Sequence, residues 1–130
     1  MEFITVTDVG PRDGLQSQAS SVDTEGKRRL IESLFAAGIP SVEATSFVSP
    51  KAVPQMADAS SLLRSIRAPS GKRLSVLVPN LRGLDRAIEA GATEIAVVLA
   101  ATDTMNRRNI GMDLAVATNT CVEVLDQAKK

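Results

Sequence analysis

Ile4-Thr5-Val6-Thr7-Asp8-Val9-Gly10-Pro11-Arg12-Asp13-Gly14 decides between two architectures. Residues 4–9 are rich in β-branched side chains and end at a Gly-Pro pair, which reads as a strand. A dinucleotide-binding unit would carry Gly-x-Gly-x-x-Gly directly after this strand. This chain has Gly10-Pro11-Arg12-Asp13-Gly14 there instead. Residues 11–23 are polar and read as a loop, and Asp23 or Thr24 then caps a helix running to about Ala37. Its apolar residues Leu30, Ile31, Leu34 and Phe35 recur at helical spacing, and Gly38 supplies the stop. A second strand follows over 41–47.

Further along, two prolines make 49–54 a loop, and helical spacing of Met56, Leu62, Leu63 and Ile66 predicts a helix over 56–67. A strand over 74–78, a helix over 81–90 and a strand over 94–100 come next. A polar loop over 102–111 then leads to a last helix over 112–128. Two junctions are alike, Ala36-Ala37-Gly38-Ile39-Pro40-Ser41-Val42 and Glu89-Ala90-Gly91-Ala92-Thr93-Glu94-Ile95. Each places a glycine three residues before a strand, as a helix closing on a left-handed residue requires. Four βα units in succession imply a parallel sheet covered by helices. With no dinucleotide fingerprint, the α/β class narrows to the first four units of a (β/α)8 TIM barrel. A whole barrel takes about 250 residues, so residues 1–130 read as one N-terminal half-barrel domain with two open strand edges.

Composition removes several function classes. Fifteen Lys and Arg balance fifteen Asp and Glu among the 130 residues, so no general attraction to nucleic acid or anionic membrane exists. Aromatic residues make up 2%, too few for base stacking. The absence of histidine excludes a Ser-His-Asp triad and a histidine metal cage built from these residues alone. A single cysteine, Cys121, cannot form an internal disulfide and fits a reducing cytoplasm. No basic segment and apolar run of leader type stands at Met1–Thr5, and the longest apolar block, 95–101, suits a buried strand.

In parallel βα folds chemistry gathers where strands end. The first strand delivers Asp8, Arg12, Asp13 and Gln16, and the second Glu43, Thr45 and Ser46. The third delivers Asn80, and the fourth Thr102 and Asp103. An arginine among carboxylates suits an anionic substrate above a cation site, since guanidinium grips carboxylate or enolate oxygen and Asp gives oxygen to a hard metal. Glu43 stands out because a carboxylate within a parallel strand is unusual. Asp8 is expected to accept backbone N–H groups of its own loop. Arg64, Arg67, Lys72 and Arg73, and separately Arg107 and Arg108, read as solvated basic faces; the second pair lies on the functional side.

Val9-Gly10-Pro11-Arg12-Asp13-Gly14-Leu15-Gln16 resembles the opening signature of the 3-hydroxy-3-methylglutaryl-CoA lyase family. Glu43-Ala44-Thr45-Ser46-Phe47-Val48-Ser49-Pro50-Lys51 and Val53-Pro54-Gln55-Met56-Ala57-Asp58 resemble its second-strand segment. Pro79-Asn80-Leu81-Arg82-Gly83 and Asn109-Ile110 follow in matching order. The resemblance implies metal-dependent carbon–carbon cleavage of a 3-hydroxy-3-methylglutaryl-type CoA thioester to acetyl-CoA and acetoacetate. It implies Asp13 as a ligand of Mg2+ or Mn2+, Arg12 and Glu43 as catalytic, and Arg12, Gln16 and Ser46 as substrate contacts. Some members carry glutamate where Asp8 stands. The family's other metal ligands, a His-x-His pair and an asparagine, and its mobile-loop cysteine belong to later strands; Cys121 does not match that cysteine.

Two further readings stand beside this one. Claisen-type synthases for isopropylmalate and homocitrate share Arg-Asp-Gly but typically continue Glu-Gln, without the Gly-Pro or Leu15 found here. The chain could also be a non-catalytic half-barrel that closes its edges by dimerising, or a truncated fragment lacking the C-terminal half.

Overall fold

The two glycine junctions close as their sequences require. Helix α1 (Thr24–Ala36) is capped by Asp23, whose carboxylate accepts from the Gly26 amide at 2.7 Å. It ends at Gly38, with φ +97°, where the Gly38 amide bonds Phe35 and the Ile39 amide bonds Leu34. The later junction repeats this pattern. At Gly91, φ +90°, the Gly91 amide bonds Ile88 and the Ala92 amide bonds Ala87. Each pair satisfies carbonyls that the last helical turn leaves open and aims the chain into the next strand.

The computed structural model describes residues 3–130; Met1 and Glu2, part of the stretch read for a leader, lie outside the described residues. Strands β1 (Thr7–Asp8), β2 (Ser41–Ser46), β3 (Arg73–Leu77) and β4 (Ile95–Ala96) form one sheet in the order β1-β2-β3-β4. Every pairing is parallel. Helices α1, α2 (Ala59–Ser65) and α3 (Leu81–Glu89) connect the strands, and α4 (Asp103–Ile110) and α5 (Leu114–Ala128) follow β4. This is the strand order of half a (β/α)8 barrel. The core lies between the helices and one face of the sheet, where Ile31, Phe35, Val42, Leu62, Val76 and Leu84 are buried together.

Four local expectations are corrected. The outer strands are short: β1 holds two residues of the predicted six, and β4 two of the predicted seven. Each is paired on one side only, and apolar side chains beside them are exposed: Phe3, Ile4 and Val6 near β1, and Val98 and Leu99 beyond β4. The predicted helix over 56–67 is a 3-10 turn, Pro54–Met56, followed by α2, because Pro54 starts the turn earlier. Residues 102–111, read as a loop, form α4. Thr102 caps it and Gly111, φ +71°, ends it. Its polarity had suggested a loop, but Asn106 is buried and its amide bonds both the N–H and the C=O of Ala100 at 3.0 Å. Among the described residues no helix is long and apolar enough to cross a membrane.

Candidate active site at the carboxyl ends of the strands

β1 ends because the chain folds back on Asp8. The Gly10 amide donates to Asp8 Oδ1 at 2.8 Å, as expected for this carboxylate. A Cβ at position 10 would sit 2.9 Å from that oxygen, so glycine permits the return. Pro11, which is buried, presets φ and has no N–H to satisfy. The amides of Arg12, Asp13 and Gly14 then converge on the Val9 carbonyl at 3.2, 2.7 and 3.4 Å. The result is a π-helical turn over Gly10–Gly14, a rare form concentrated at functional sites. It packs on β2 and brings Arg12 to that strand.

β2 prepares the other half of the site by breaking its own alternation. Glu43 pairs with Ser75, Thr45 with Val76 and Ser46 with Leu77, so Ala44 is an extra residue, a bulge. Ser75 and Leu77 share a face, and their cross-strand partners Glu43 and Ser46 therefore share it too. Thr45 lies on the opposite face with Val76, its hydroxyl 3.5 Å from Met56 Sδ. Thr45 is thus removed from the candidate site residues, whereas Glu43 and Ser46 are joined on it. The same face continues through Ser41, whose hydroxyl accepts from Thr7 Oγ1 at 2.9 Å.

Arg12 Nε donates to Glu43 Oε1, and Arg12 Nη1 donates to Asp13 Oδ1 at 2.9 Å. Exposure grades the three side chains: Glu43 9%, Arg12 17% and Asp13 66%. A guanidinium has five N–H donors. Two are engaged here, which leaves three without an acceptor among the described residues. A fixed cation with unused donors can hold a developing oxyanion. Gln16 Oε1 and Ser46 Oγ are buried with no hydrogen-bond partner among the described residues, the state of groups built to meet a ligand or water.

Three candidates have other work. Asn80 caps α3 by accepting from the Gly83 amide at 2.9 Å. Thr102 accepts from the Met105 amide at 3.3 Å, and Asp103 from the Leu114 amide at 2.7 Å. Arg107 and Arg108 lie in the last turn of α4, where cations complement the helix end, with Arg107 3.7 Å from Asp113. Arg67 donates to backbone carbonyls, and Lys72 donates to the Gly38 carbonyl at 2.8 Å.

Sequence reading missed Lys27. It is buried on α1, four residues before Ile31, and donates to Asp58 Oδ1 at 2.6 Å and to the Gln55 carbonyl at 2.5 Å. Thr24 Oγ1 donates to the other oxygen of Asp58 at 2.7 Å. This clamp ties α1 to the turn that carries Met56 under Thr45, and so braces β2 at its bulge. The helical spacing of Lys27 with Ile31 was the available signal.

Among the described residues no group of three or more His, Cys, Asp or Glu side chains could hold a metal ion. Glu43 is taken by Arg12, and Asp13 alone presents an exposed carboxylate. These residues by themselves do not form a cation cage.

Residues 3–130 match the HMGL-like family. The chain is 43% identical over 128 residues to the cytoplasmic 3-hydroxy-3-methylglutaryl-CoA lyase of Mus musculus, covering 98% of this chain and 37% of that protein. It is 39% identical over 127 residues to the 3-hydroxy-3-isohexenylglutaryl-CoA/hydroxymethylglutaryl-CoA lyase of Pseudomonas aeruginosa, covering 98% and 42%. The structure of an HMG-CoA lyase from Acinetobacter baumannii, in complex with coenzyme A and 3-methylmalate, superposes with a TM-score of 0.88 at 39% identity, covering 95% of this chain and 40% of that one. The chain therefore spans about two fifths of the length of these relatives.

Proposed function

The chain belongs to the HMGL-like family, and from that premise we propose that it forms the Arg12-bearing half of a barrel that cleaves a 3-hydroxy-3-methylglutaryl-type CoA thioester to acetyl-CoA and acetoacetate. The observation that carries this reading is Arg12 itself, a cation fixed by Glu43 and Asp13 at the strand ends with three N–H donors to spare. Loss of the 3-hydroxyl proton turns that carbon into the acetoacetate ketone as the carbon–carbon bond breaks, leaving the electron pair on the acetyl fragment as a thioester enolate, which takes up a proton at carbon to become acetyl-CoA. Arg12 receives the enolate oxygen with its unused N–H groups, preorganised by the carboxylates and costing no reorganisation. Glu43 keeps the guanidinium aimed. Ser46 and Gln16, buried and unpartnered on the protein side, take substrate oxygen or hydroxyl groups. Asp13 is proposed as one oxygen ligand of a divalent Mg2+ or Mn2+, whose remaining ligands these residues do not supply.

The exposed apolar side chains flanking β1 and β4 support covering of both edges, by further strands of the same barrel or by a second copy of the chain. A cytoplasmic setting accords with the single unpaired Cys121.

The test is a chimaera in which residues 1–130 replace the aligned segment of the Pseudomonas aeruginosa lyase. It is expected to release acetoacetate and acetyl-CoA in equal amounts from 3-hydroxy-3-methylglutaryl-CoA. A folded chimaera without product, beside an active parent enzyme, contradicts the proposal. The 130-residue chain alone is expected to show no turnover, because its metal site is incomplete.

A further inference from the structure

The inner face of the sheet changes character between β2 and β3. Ser46 pairs with Leu77 and Leu77 with Ala96, so the three stand in one row across adjacent parallel strands. Neighbouring strands lie about 4.8 Å apart, which makes each of these side chains the next one's neighbour. The residues that alternate with them face the helices. Val76 and Val78 belong to the buried core, and Ile95 and Val97 pack against it. Leu77 is 7% exposed, yet it lies outside that core cluster. It is shielded on the face that carries Glu43 and Ser46, at the last position of β3. Ala96 is half-buried beside it and contributes only a methyl group.

The strand-end face of the sheet therefore has two halves. On the β1–β2 side stand Arg12, Asp13 and Gln16 from the segment after β1, with Glu43 and Ser46 of β2. On the β3–β4 side stand Leu77 and Ala96. Nearer the amino end β3 is polar again, because Ser75 is the partner of Glu43. The apolar patch is thus confined to the level where chemistry gathers in this architecture. A leucine shielded at that level, and unused by the core, is apolar surface offered to what enters the site.

On the acyl-CoA reading above, on which this inference rests, carbon 3 of the substrate carries four groups. Its hydroxyl, its carboxylate arm and its thioester arm all need polar or charged partners, and those lie on the β1–β2 side. The fourth group is a hydrocarbon. Set against Arg12 or Ser46 it would leave their hydrogen-bonding atoms unmatched, whereas Leu77 and Ala96 meet it at no such cost.

We propose that Leu77 and Ala96 determine specificity for the hydrocarbon substituent at carbon 3. Leu77 is the wall against which the substituent packs, and the small Ala96 leaves the space that sets its length.

The test compares kcat/KM in the chimaeric barrel for 3-hydroxy-3-methylglutaryl-CoA and 3-hydroxy-3-isohexenylglutaryl-CoA, which differ only in this substituent. The Pseudomonas aeruginosa lyase that supplies the rest of the barrel is a lyase of both. Ala96→Leu is expected to lower kcat/KM for the isohexenyl thioester by at least about tenfold and to leave the methyl thioester within about threefold, the scale for misfit in an apolar pocket. Leu77→Ala is expected to move the ratio about tenfold the other way, and Leu77→Met, which keeps the volume, to leave it near the unmutated value. The ratio is independent of how much protein is folded, since both substrates meet the same active fraction. A residue that only supported the fold would therefore leave the ratio unmoved. Cleavage of both thioesters with the ratio unchanged in Ala96→Leu and Leu77→Ala overturns this inference alone. A folded, unmutated chimaera that cleaves neither thioester overturns the acyl-CoA reading, and this assignment with it.

Discussion

Two Arg–Glu pairs stand at opposite ends of the sheet. At the amino end, Arg73 of β3 grips Glu94 with both Nε and Nη2, at 3.1 and 2.6 Å. At the carboxyl end, Arg12 gives Glu43 only its Nε. Geometry favours the first pair and desolvation the second, since Arg73 is 58% exposed and Arg12 17%. The Glu94 hydrogen bonds raise the pKa of Arg73, yet water competes for both partners. The Arg73 pair is a surface clip between adjacent strands. The Arg12 pair is a shielded charge whose spare donors can be used by something else. Each guanidinium keeps three N–H donors without an acceptor among the described residues, so it is shielding from water that separates a structural contact from one available for chemistry.

The strongest way to break this contrast is to remove one acid from each pair. Glu43→Ala leaves Arg12 without its buried partner and is expected to cost about 3 kcal/mol in denaturant unfolding of the chain. Glu94→Ala is expected to leave the unfolding midpoint where it was. Equal losses would remove the distinction.

A smaller effect sharpens it. Lys27 is as buried as Glu43, and two of its three N–H donors tie it to Asp58 and the Gln55 carbonyl, so its role is mechanical. Lys27→Ala is expected to cost about 2 kcal/mol, because Asp58 and the Gln55 carbonyl lose their donor. Lys27→Met, which restores the aliphatic stem, is expected to recover part of that loss. Full stability in the alanine variant would show that the clamp does not brace the β2 bulge.

The smallest effect belongs to a third, fully solvated cluster. On α1 the hydrogen bonds from Arg28 and then Arg29 hold the Glu25 carboxyl down to about 2. A depressed carboxyl pKa gives stability that is complete above the ordinary glutamate value and is lost as pH falls from there toward 2. Exposure keeps the contribution small. An NMR titration of the Glu25 carboxyl is expected to show this low midpoint in dilute buffer and a rise toward the ordinary value in about 0.5 M salt. A midpoint at the ordinary value in dilute buffer would contradict the pairing.

The βα order was legible because it rests on local signals: caps, glycines with positive φ, and apolar spacing. The junctions at Gly38 and Gly91 show this best, where one short pattern specified both a helix end and a strand start. α4 was not legible, since its apolar residues are few and its anchor, the Asn106 bond to Ala100, belongs to the folded state. The short β4 was hidden for a related reason. An apolar run marks a strand, but pairing needs a neighbour, and Val98 and Leu99 have none beside them in this sheet.

The candidate site divides the same way. Arg12, Asp13 and Glu43 could be named from strand-end position and family resemblance. Their ion pairing could not, because residues 12 and 43 meet only through the parallel register. Glu43 and Ser46, three apart, would face opposite ways in a regular strand. The bulge at Ala44 joins them, and no residue type announces it. The capping roles of Asn80, Thr102 and Asp103 were readable from their position before helices, although strand-end position suggested chemistry.

Arg12→Gln set beside Arg73→Gln in the chimaeric barrel tests the central claim most directly, through kcat for acetoacetate release. Arg12→Gln is expected to lower kcat by about a thousandfold, the scale for loss of an oxyanion-stabilising donor, while Arg73→Gln stays within about twofold of the unmutated chimaera. A folded Arg12→Gln barrel with kcat as little changed as that of Arg73→Gln would contradict it.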